Sequence, residues 1–533
     1  MSRWRYARRL RSGRRRAVTT RHDRSSPDGP AVDVCLVLEG TYPYVTGGVS
    51  AWVHEIIQGQ SHLSFALVCL HAGNMELVDR YQLPDNVVGR RNVHIQRLPD
   101  GPKHLRAAER ICREVEAPLR RITIGPAGLE AFREILASFR TAPKRPGRHA
   151  LLNSNSAWNL VVRMYEANHD ELSYIDYFWS WRTLVGGLYA GLLADLPHAG
   201  VYHAVSTGYA GLIAARGSLE TGRPALLSEH GLYTNERRVE LAMANWLHDT
   251  VPPSLNLGQR PMDLRDLWIN TFASYARACY EASARIVTLH DINRKLQIAD
   301  GAPSDRVTIV PNGIDTAAYG ALRSVEAPVS RRVALIGRVV PIKDVASFIQ
   351  ACSLMADILP DVTFEVLGPT DEEPEYYDRC LQLVRHFGLT RRFRFRGKVD
   401  VKAEIGDVDV MVLSSISESQ PLTILEAGAA GIPTVATDVG GCREMLEGLP
   451  YENPRLGPSG TVVPVASPQD LAAAVIRLYQ DADWYARCAR TARQRTRTYY
   501  DKANMHAAYR DIYAEAISAE TGPGLDRQPA LES

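Results

Sequence analysis

Short apolar runs recur along this 533-residue chain, each ending in a polar or glycine-bearing loop and followed by helical spacing. That alternation limits the fold more than composition does, because a strand buried on both faces needs helices on both sides of its sheet. "VDVCLVL" (32–38) is the first such run. The loop "EGTYPYVTGG" follows, and apolar residues then fall at Val49, Trp52, Val53, Ile56 and Ile57, as on one face of a helix. Residues 90–195 are less regular and read as an elaboration, with Trp158, Trp179 and Trp181 among them. Alternation resumes with "GVYHAVS", "ALLSEHG" and "ARIVTLH". A second series opens with "VTIVPNG" and runs through "RRVALIGR", "VTFEVLG", "RFRFRG", "DVMVLSS", "PTVATDVGG" and "GTVVPV".

Two such series predict an α/β protein with two Rossmann-like, doubly wound parallel sheets, joined near "PNGID" (311–315). Ligands of such sheets gather beyond the carboxyl ends of the strands, so two facing sheets put the site in the cleft between them. The expected boundaries begin with a disordered Arg-rich tail over 1–30 and an N-terminal domain over 31–310, with its insertion at about 90–195. A C-terminal domain over 311–497 follows, then a helix over 498–515 packing back on the first domain, and a tail over 516–533.

Charge excludes one class of function. The first 30 residues hold ten Arg against two Asp, which leaves 52 basic and 58 acidic groups in the body. A net acidic body gives no bulk argument for nucleic-acid binding. The Arg-rich opening has no apolar segment behind it, as a secretory signal would. No apolar run reaches the ~18 residues needed to span a bilayer. The eight cysteines form no CxxC pair, so reduced core thiols and a cytoplasmic location are expected, with neither zinc nor disulfides.

The chemistry lies at the strand ends of the second half. "LIGRVVPIKD" puts Arg338 at a strand end and Lys343 just before a helix near Val345. Two cations beside a helix N-terminus form an anion site that matches a pyrophosphate in charge. At the end of "RFRFRG", Gly397 lets backbone approach a flat base, with the amides of Lys398 and Val399 beside it to read its edge. In "SESQPLTILEAGAAGIP", Pro421 suits the first position of a helix and Gly431 the residue past its end. Glu418 then precedes that helix and Glu426 lies roughly 7.5 Å along its axis. Two carboxylates so spaced can each hold a vicinal diol of one extended ligand. Each feature alone is ordinary; in order, at consecutive strand ends, they fit a nucleotide sugar.

"GRVVPIKD" followed by "SESQPLTILEAGAAGIPTVATDVGG" resembles the retaining GT-B glycosyltransferases of family four. "DVCLVLEGTYPYVTGGVSAWVHEII", "YIDYFWSWRTL", "HAVSTGYAGLIAA" and "LLSEHGLYTNERR" resemble the PelF-type glycosyltransferases of Pel exopolysaccharide synthesis, from about residue 32 to 515. The resemblance implies a GT-B architecture, a UDP-sugar donor, a saccharide acceptor, and a cytoplasmic enzyme, peripheral at the inner membrane, that works with a polysaccharide synthase and export complex. It implies that Glu426 holds the ribose and Glu418 faces the donor hexose near its reacting carbon. It implies that Arg338 and Lys343 neutralise the departing diphosphate, and that Pro421 and Leu422 lie against the donor. Thr46, Gly47 and Gly48 would close on the phosphates. Many relatives carry a His-x-His where this chain reads "HAV", so either His203 or His230 is expected near the transferred sugar.

"DVD" (407–409) matches the Asp-x-Asp that holds a metal in GT-A transferases, but here it opens a strand, away from the carboxyl end. "TDEEPE" (370–375) is acidic but lies in a loop of a kind that is ordinarily solvated. No metal is expected, its place being taken by cations and helix N-termini. A UDP-N-acetylglucosamine epimerase of the same fold, a glycoside hydrolase using Glu418 and Glu426, and a non-catalytic scaffold of a synthase complex are the competing readings. The hydrolase would leave Arg338 and Lys343 unexplained.

Overall fold

The computed structural model describes residues 31–519 except 74–76, 104, 143, 169–171, 244–261 and 325–330. The tail expected over 1–30, and most of the tail expected over 516–533, lie outside the described residues. Two parallel sheets organise the chain. The first runs β3-β2-β1-β4-β5-β6-β7, built from β1 Val32–Glu39, β2 Phe65–His71, β3 Val87–His94, β4 Ala199–Ala204, β5 Ala225–Glu229, β6 Ser283–Thr288 and β7 Val307–Ile309. The second runs β10-β9-β8-β11-β12-β13, from β8 Arg332–Ile336, β9 Thr363–Leu367, β10 Phe393–Gly397, β11 Val410–Leu413, β12 Thr434–Thr437 and β13 Gly460–Val463. Each is Rossmann-like, with strand order reversing once, between β1 and β4 and between β8 and β11.

The period-2 pattern explains why β1 is apolar throughout. Val34, Leu36 and Leu38 face a core shared with Trp52, Val53, Ile56 and Ile57, while Cys35 and Val37 face the core of the helical insertion. All eight cysteines are buried and unpaired. The long apolar segment around residues 183–196 lies mostly within the helix Tyr174–Leu192, whose second half is buried, and no helix among the described residues is long and apolar enough to cross a membrane.

Three sequence expectations shift. "VTIV" does not open the second series: β7 pairs in parallel with β6 and closes the first sheet. The strands β2 and β3 were absent from the expected series; β3 is an edge strand, largely exposed, with Gly89, Arg90, Arg91 and Asn92 at its centre, so it carries no apolar periodicity to read. The final helix spans Lys502–Ser518 rather than 498–515. The preceding helix continues to Tyr499, and Asp501 caps the next by accepting the Ala503 amide. This last helix lies on the first sheet, with Met505, Tyr509, Ile512 and Tyr513 in the same core as Val34 and Trp52.

Candidate active site

The carboxyl ends of β8 and β11, at the order reversal of the second sheet, carry loops that are tied together. Ser414 Oγ donates to the carbonyls of Lys343 and Asp344, each at 2.9 Å, and the Ile416 amide donates to Ile342 O at 2.8 Å. That stitching brings Lys343 Nζ to 2.5 Å from Glu418 Oε1, which Ser415 Oγ also reaches at 2.7 Å. Lys343 and Glu418 are both largely enclosed, their side chains 22% and 14% exposed. Arg338 stands apart: half-exposed, it pairs with Glu372 of the acidic loop at 2.6 Å.

Glu426 is the fifth residue of the helix Leu422–Ala430, with Gly431 in the left-handed region past its end. Pro421 is the capping residue and not the first helical one, a shift of one position from expectation; Leu422 opens the helix. The Glu426 carboxylate accepts a 3.0 Å hydrogen bond from Tyr319, and burial raises its pKa above the ordinary value, with Tyr319 opposing. Lys402 Nζ lies 5.8 Å from the Tyr319 ring, so the short helix Val401–Glu404 after β10 reaches the same neighbourhood as Glu426. At the end of β10, Gly397 has φ +68, a conformation that favours glycine; just beyond it Lys398 is exposed and Val399 half-buried.

At the first sheet, Thr46, Gly47 and Gly48 are exposed at the start of the helix Gly48–Gly59. A Cβ on Gly47 or Gly48 would meet nothing within 4 Å, and Gly47 is extended backbone. Packing within the described chain therefore does not require either glycine. Their bareness leaves room for a ligand against the helix N-terminus.

The two expected histidines part company. His203 is fully buried in β4 with one ring nitrogen 2.7 Å from Tyr513 Oη and the other 2.9 Å from Ser228 Oγ. Both nitrogens are satisfied inside the core and burial lowers its pKa to about 3, the surroundings of a packed core histidine. His230 stacks edge-on against Trp52, ring centroids 4.4 Å apart, behind the glycine loop. Its buried Nε2 has no hydrogen-bond partner, and burial lowers its pKa to about 4.

Sequence reasoning missed His290, Tyr319 and the pair Gly440–Gly441. His290, after β6, caps its own helix by accepting the Asn293 amide, and its other nitrogen lies 3.5 Å from Ser419 Oγ. Asn293 Nδ2 donates to the same hydroxyl at 3.2 Å, and Gln420 Oε1 accepts the Asn312 amide at 2.7 Å. The carboxyl end of the first sheet thus meets the loop that carries Glu418. Gly440, at φ +51, would place a Cβ 2.2 Å from the Glu418 carbonyl oxygen, and one on Gly441 would lie 3.2 Å from the His290 ring. The glycine pair ending "PTVATDVGG" was the available signal.

Of "DVD", the second aspartate is spent on structure. Asp409 is wholly buried, paired with Arg323 at 2.8 Å and accepting the Arg332 amide at 2.8 Å, while the Asp407 side chain is 79% exposed. Among the described residues no three His, Cys, Asp or Glu side chains converge as a metal site.

Residues 32–305 match the family described as "Domain of unknown function (DUF3492)", and residues 330–481 match "Glycosyl transferases group 1". The chain is 30% identical over 247 residues to the D-inositol 3-phosphate glycosyltransferase of Corynebacterium urealyticum, covering 45% of this chain and 56% of that protein. It is 28% identical to the phosphatidyl-myo-inositol mannosyltransferase of Mycolicibacterium smegmatis, over 50% of this chain and 64% of that one. The chain spans about half the length of the curated relatives it matches. Among solved structures, Anabaena HepE in complex with UDP superposes with a TM-score of 0.54 at 14% identity, over 91% of this chain and all of that one. Sucrose-phosphate synthase of Thermosynechococcus elongatus gives 0.53 at 14% identity, over 92% and 100%. At these identities the likeness is one of fold, and the fold is GT-B.

Proposed function

Because the chain belongs to the DUF3492 family over residues 32–305 and carries a group 1 glycosyl transferase domain over 330–481, we propose that it transfers a hexose or N-acetylhexosamine from a UDP-sugar to a growing saccharide, with retention. The observation that carries the reading is the enclosed contact of Lys343 with Glu418 at the order reversal of the second sheet. An ammonium and a carboxylate held there supply a cation for a phosphate and an acceptor for sugar hydroxyls in one place. HepE, a fold relative, binds UDP, and the matched curated relatives are glycosyltransferases.

In this reading Glu426 takes the ribose hydroxyls and Gly397–Val399 the base edge. The bond between the anomeric carbon and the β-phosphate oxygen breaks, and its electron pair leaves with the diphosphate. Lys343, the glycine loop and Arg338, released from Glu372, take up that charge. The acceptor hydroxyl attacks the same face, and its proton passes to the departing phosphate oxygen. Glu418, freed as Lys343 turns to the phosphate, holds the sugar, and His230, whose buried Nε2 has no hydrogen-bond partner, is the histidine this reading assigns to it. A metal is not needed where three cationic or amide elements meet the diphosphate. The finer setting, Pel-type exopolysaccharide synthesis beside an inner-membrane export complex, rests on the resemblance of "EGTYPYVTGGVS" and "SEHGLYTNERR".

The test is incubation with a panel of UDP- and ADP-sugars, with and without a saccharide acceptor, in the presence of EDTA. UDP release together with a glycoside product is expected. Release of an epimerised free sugar would establish the epimerase instead. Activity lost in EDTA and restored by Mn²⁺ or Mg²⁺ would overturn the metal-free part.

A further inference from the structure

We infer that the aromatic surface at the exposed end of the helical insertion docks the acceptor glycan beyond the reacting centre, an inference that rests on the glycosyl-transfer reading. Trp158, on the helix Asn155–Asn168, and Ile175 and Trp179, on the helix Tyr174–Leu192, are 50%, 66% and 60% exposed. They are not isolated. The Trp158 and Phe178 ring centroids lie 5.7 Å apart, and Phe178 and Trp179 5.2 Å apart. The three rings are in successive contact, with planes inclined by 50° and 77°. Large apolar groups left in water at one place mark a binding surface.

The fold points this surface toward the cleft side. The helix Tyr174–Leu192 runs parallel to the helix Tyr209–Thr221. Tyr209 Oη bonds Leu184 O, a Cβ on Gly187 would strike the Tyr209 ring, and Arg216 bonds Gly191 O. Tyr209 follows β4 at its carboxyl end. Residues before Leu184 therefore project past the carboxyl edge of the sheet, and Ile175, twelve positions before Gly187, stands about 18 Å further along the helix axis.

Charge decides between occupants. A membrane-docking aromatic surface is rimmed by free Lys and Arg. Here the Arg182 guanidinium lies 6.0 Å from the Phe178 ring and is held there by Leu152 O and Asn153 Oδ1, both at 2.7 Å, while Arg163 pairs with Glu116 at 2.7 Å. Among the described residues, the exposed polar groups next to the two tryptophans in the sequence include Asn155, Asn159 and Asp176. Amides and a carboxylate around exposed indoles suit a neutral saccharide, whose C–H faces stack on rings while its hydroxyls bond at the edge.

Both tryptophans are half or more exposed, so the double variant Trp158→Ala/Trp179→Ala is expected to keep its melting temperature. Full-length wild type and variant are titrated with chitohexaose, cellohexaose and maltohexaose, with UDP, and with phosphatidylglycerol vesicles. Wild type binding one of the hexamers, with at least about tenfold loss in the variant and UDP affinity unchanged, is the expected result. No hexamer bound by wild type, equal binding by both proteins, or vesicle binding that the variant alone loses overturns the inference. Failure of wild type to bind UDP would sink the donor reading instead, and is read from a separate titration.

Discussion

Glu418 and Glu426 are eight residues apart and sit in different surroundings. Glu426 is buried on a helix with one Tyr319 hydrogen bond, whereas Glu418 is on a loop and bound to Lys343 and Ser415. The ribose is common to UDP and to the donor, so Glu426→Ala removes uniform binding, weakens UDP and raises the donor KM. Glu418→Ala leaves UDP binding near wild type and lowers kcat on the order of 10²-fold. Equal weakening of UDP by both substitutions, or near-normal turnover in Glu418→Ala, would refute this division. The raised pKa of Glu426 adds a signature. Its ionised form accepts the ribose hydroxyls, so affinity falls with acid sooner than an ordinary glutamate would cause. Between about pH 8 and about pH 5, the ratio of wild-type to Glu426→Gln affinity for UDP declines, which divides out protonation of the phosphate itself. A flat ratio would remove Glu426 from the ribose. The same burial makes the charge costly, so Glu426→Gln melts higher at neutral pH.

At the scale of elements, the loop after β11 is fixed by the glycine pair after β12. The Gly441 amide donates to Ser419 O at 2.7 Å, and Gly440 leaves no space for a Cβ beneath Glu418. Gly440→Ala combines positive φ with a backbone clash and shifts the loop, while the helix bearing Glu426 keeps its own core contacts. Turnover is expected to fall at least about tenfold with UDP affinity within about threefold of wild type, measured by steady-state kinetics and calorimetry. Loss of both together would show that the loop and helix move as one. The sequence made Lys343, Glu418 and Glu426 legible because short spacings place them at one strand end and one helix start. It could not show that Tyr319 joins Glu426 from 107 residues away or that His290 meets Ser419 across 129. Those contacts are products of tertiary packing, which no local period encodes. The edge strand β3 was illegible for the opposite reason, having too little buried face to leave a pattern.

The whole molecule is closed by its last helix, which returns from the second sheet to cover the first. Ile314 pairs with Asp501 at the crossing, and Gln60 Nε2 donates to His506 O at 2.7 Å. Met505, Tyr509, Ile512 and Tyr513 then shield Trp52, Val53, Ile56 and Ile57, the helix directly behind the glycine loop. At about 2 kcal/mol for each buried side chain, the four together approach the stability of an ordinary domain. Tyr513 also supplies one of the two partners of His203, and Tyr509 bonds Ser228, which supplies the other. Burial holds the His203 pKa near 3, below its unfolded value, so the unfolded chain binds the extra proton and stability falls as pH drops below about 6.5. Two outcomes follow. A chain ending at Tyr500 loses cooperative melting of the first sheet by calorimetry, while amides of the second sheet keep their protection from hydrogen exchange. Tyr513→Phe orphans one nitrogen of a buried imidazole and lowers stability by about 1–3 kcal/mol at neutral pH. Unchanged melting of the truncated chain would mean that the helix only decorates a domain already stable without it.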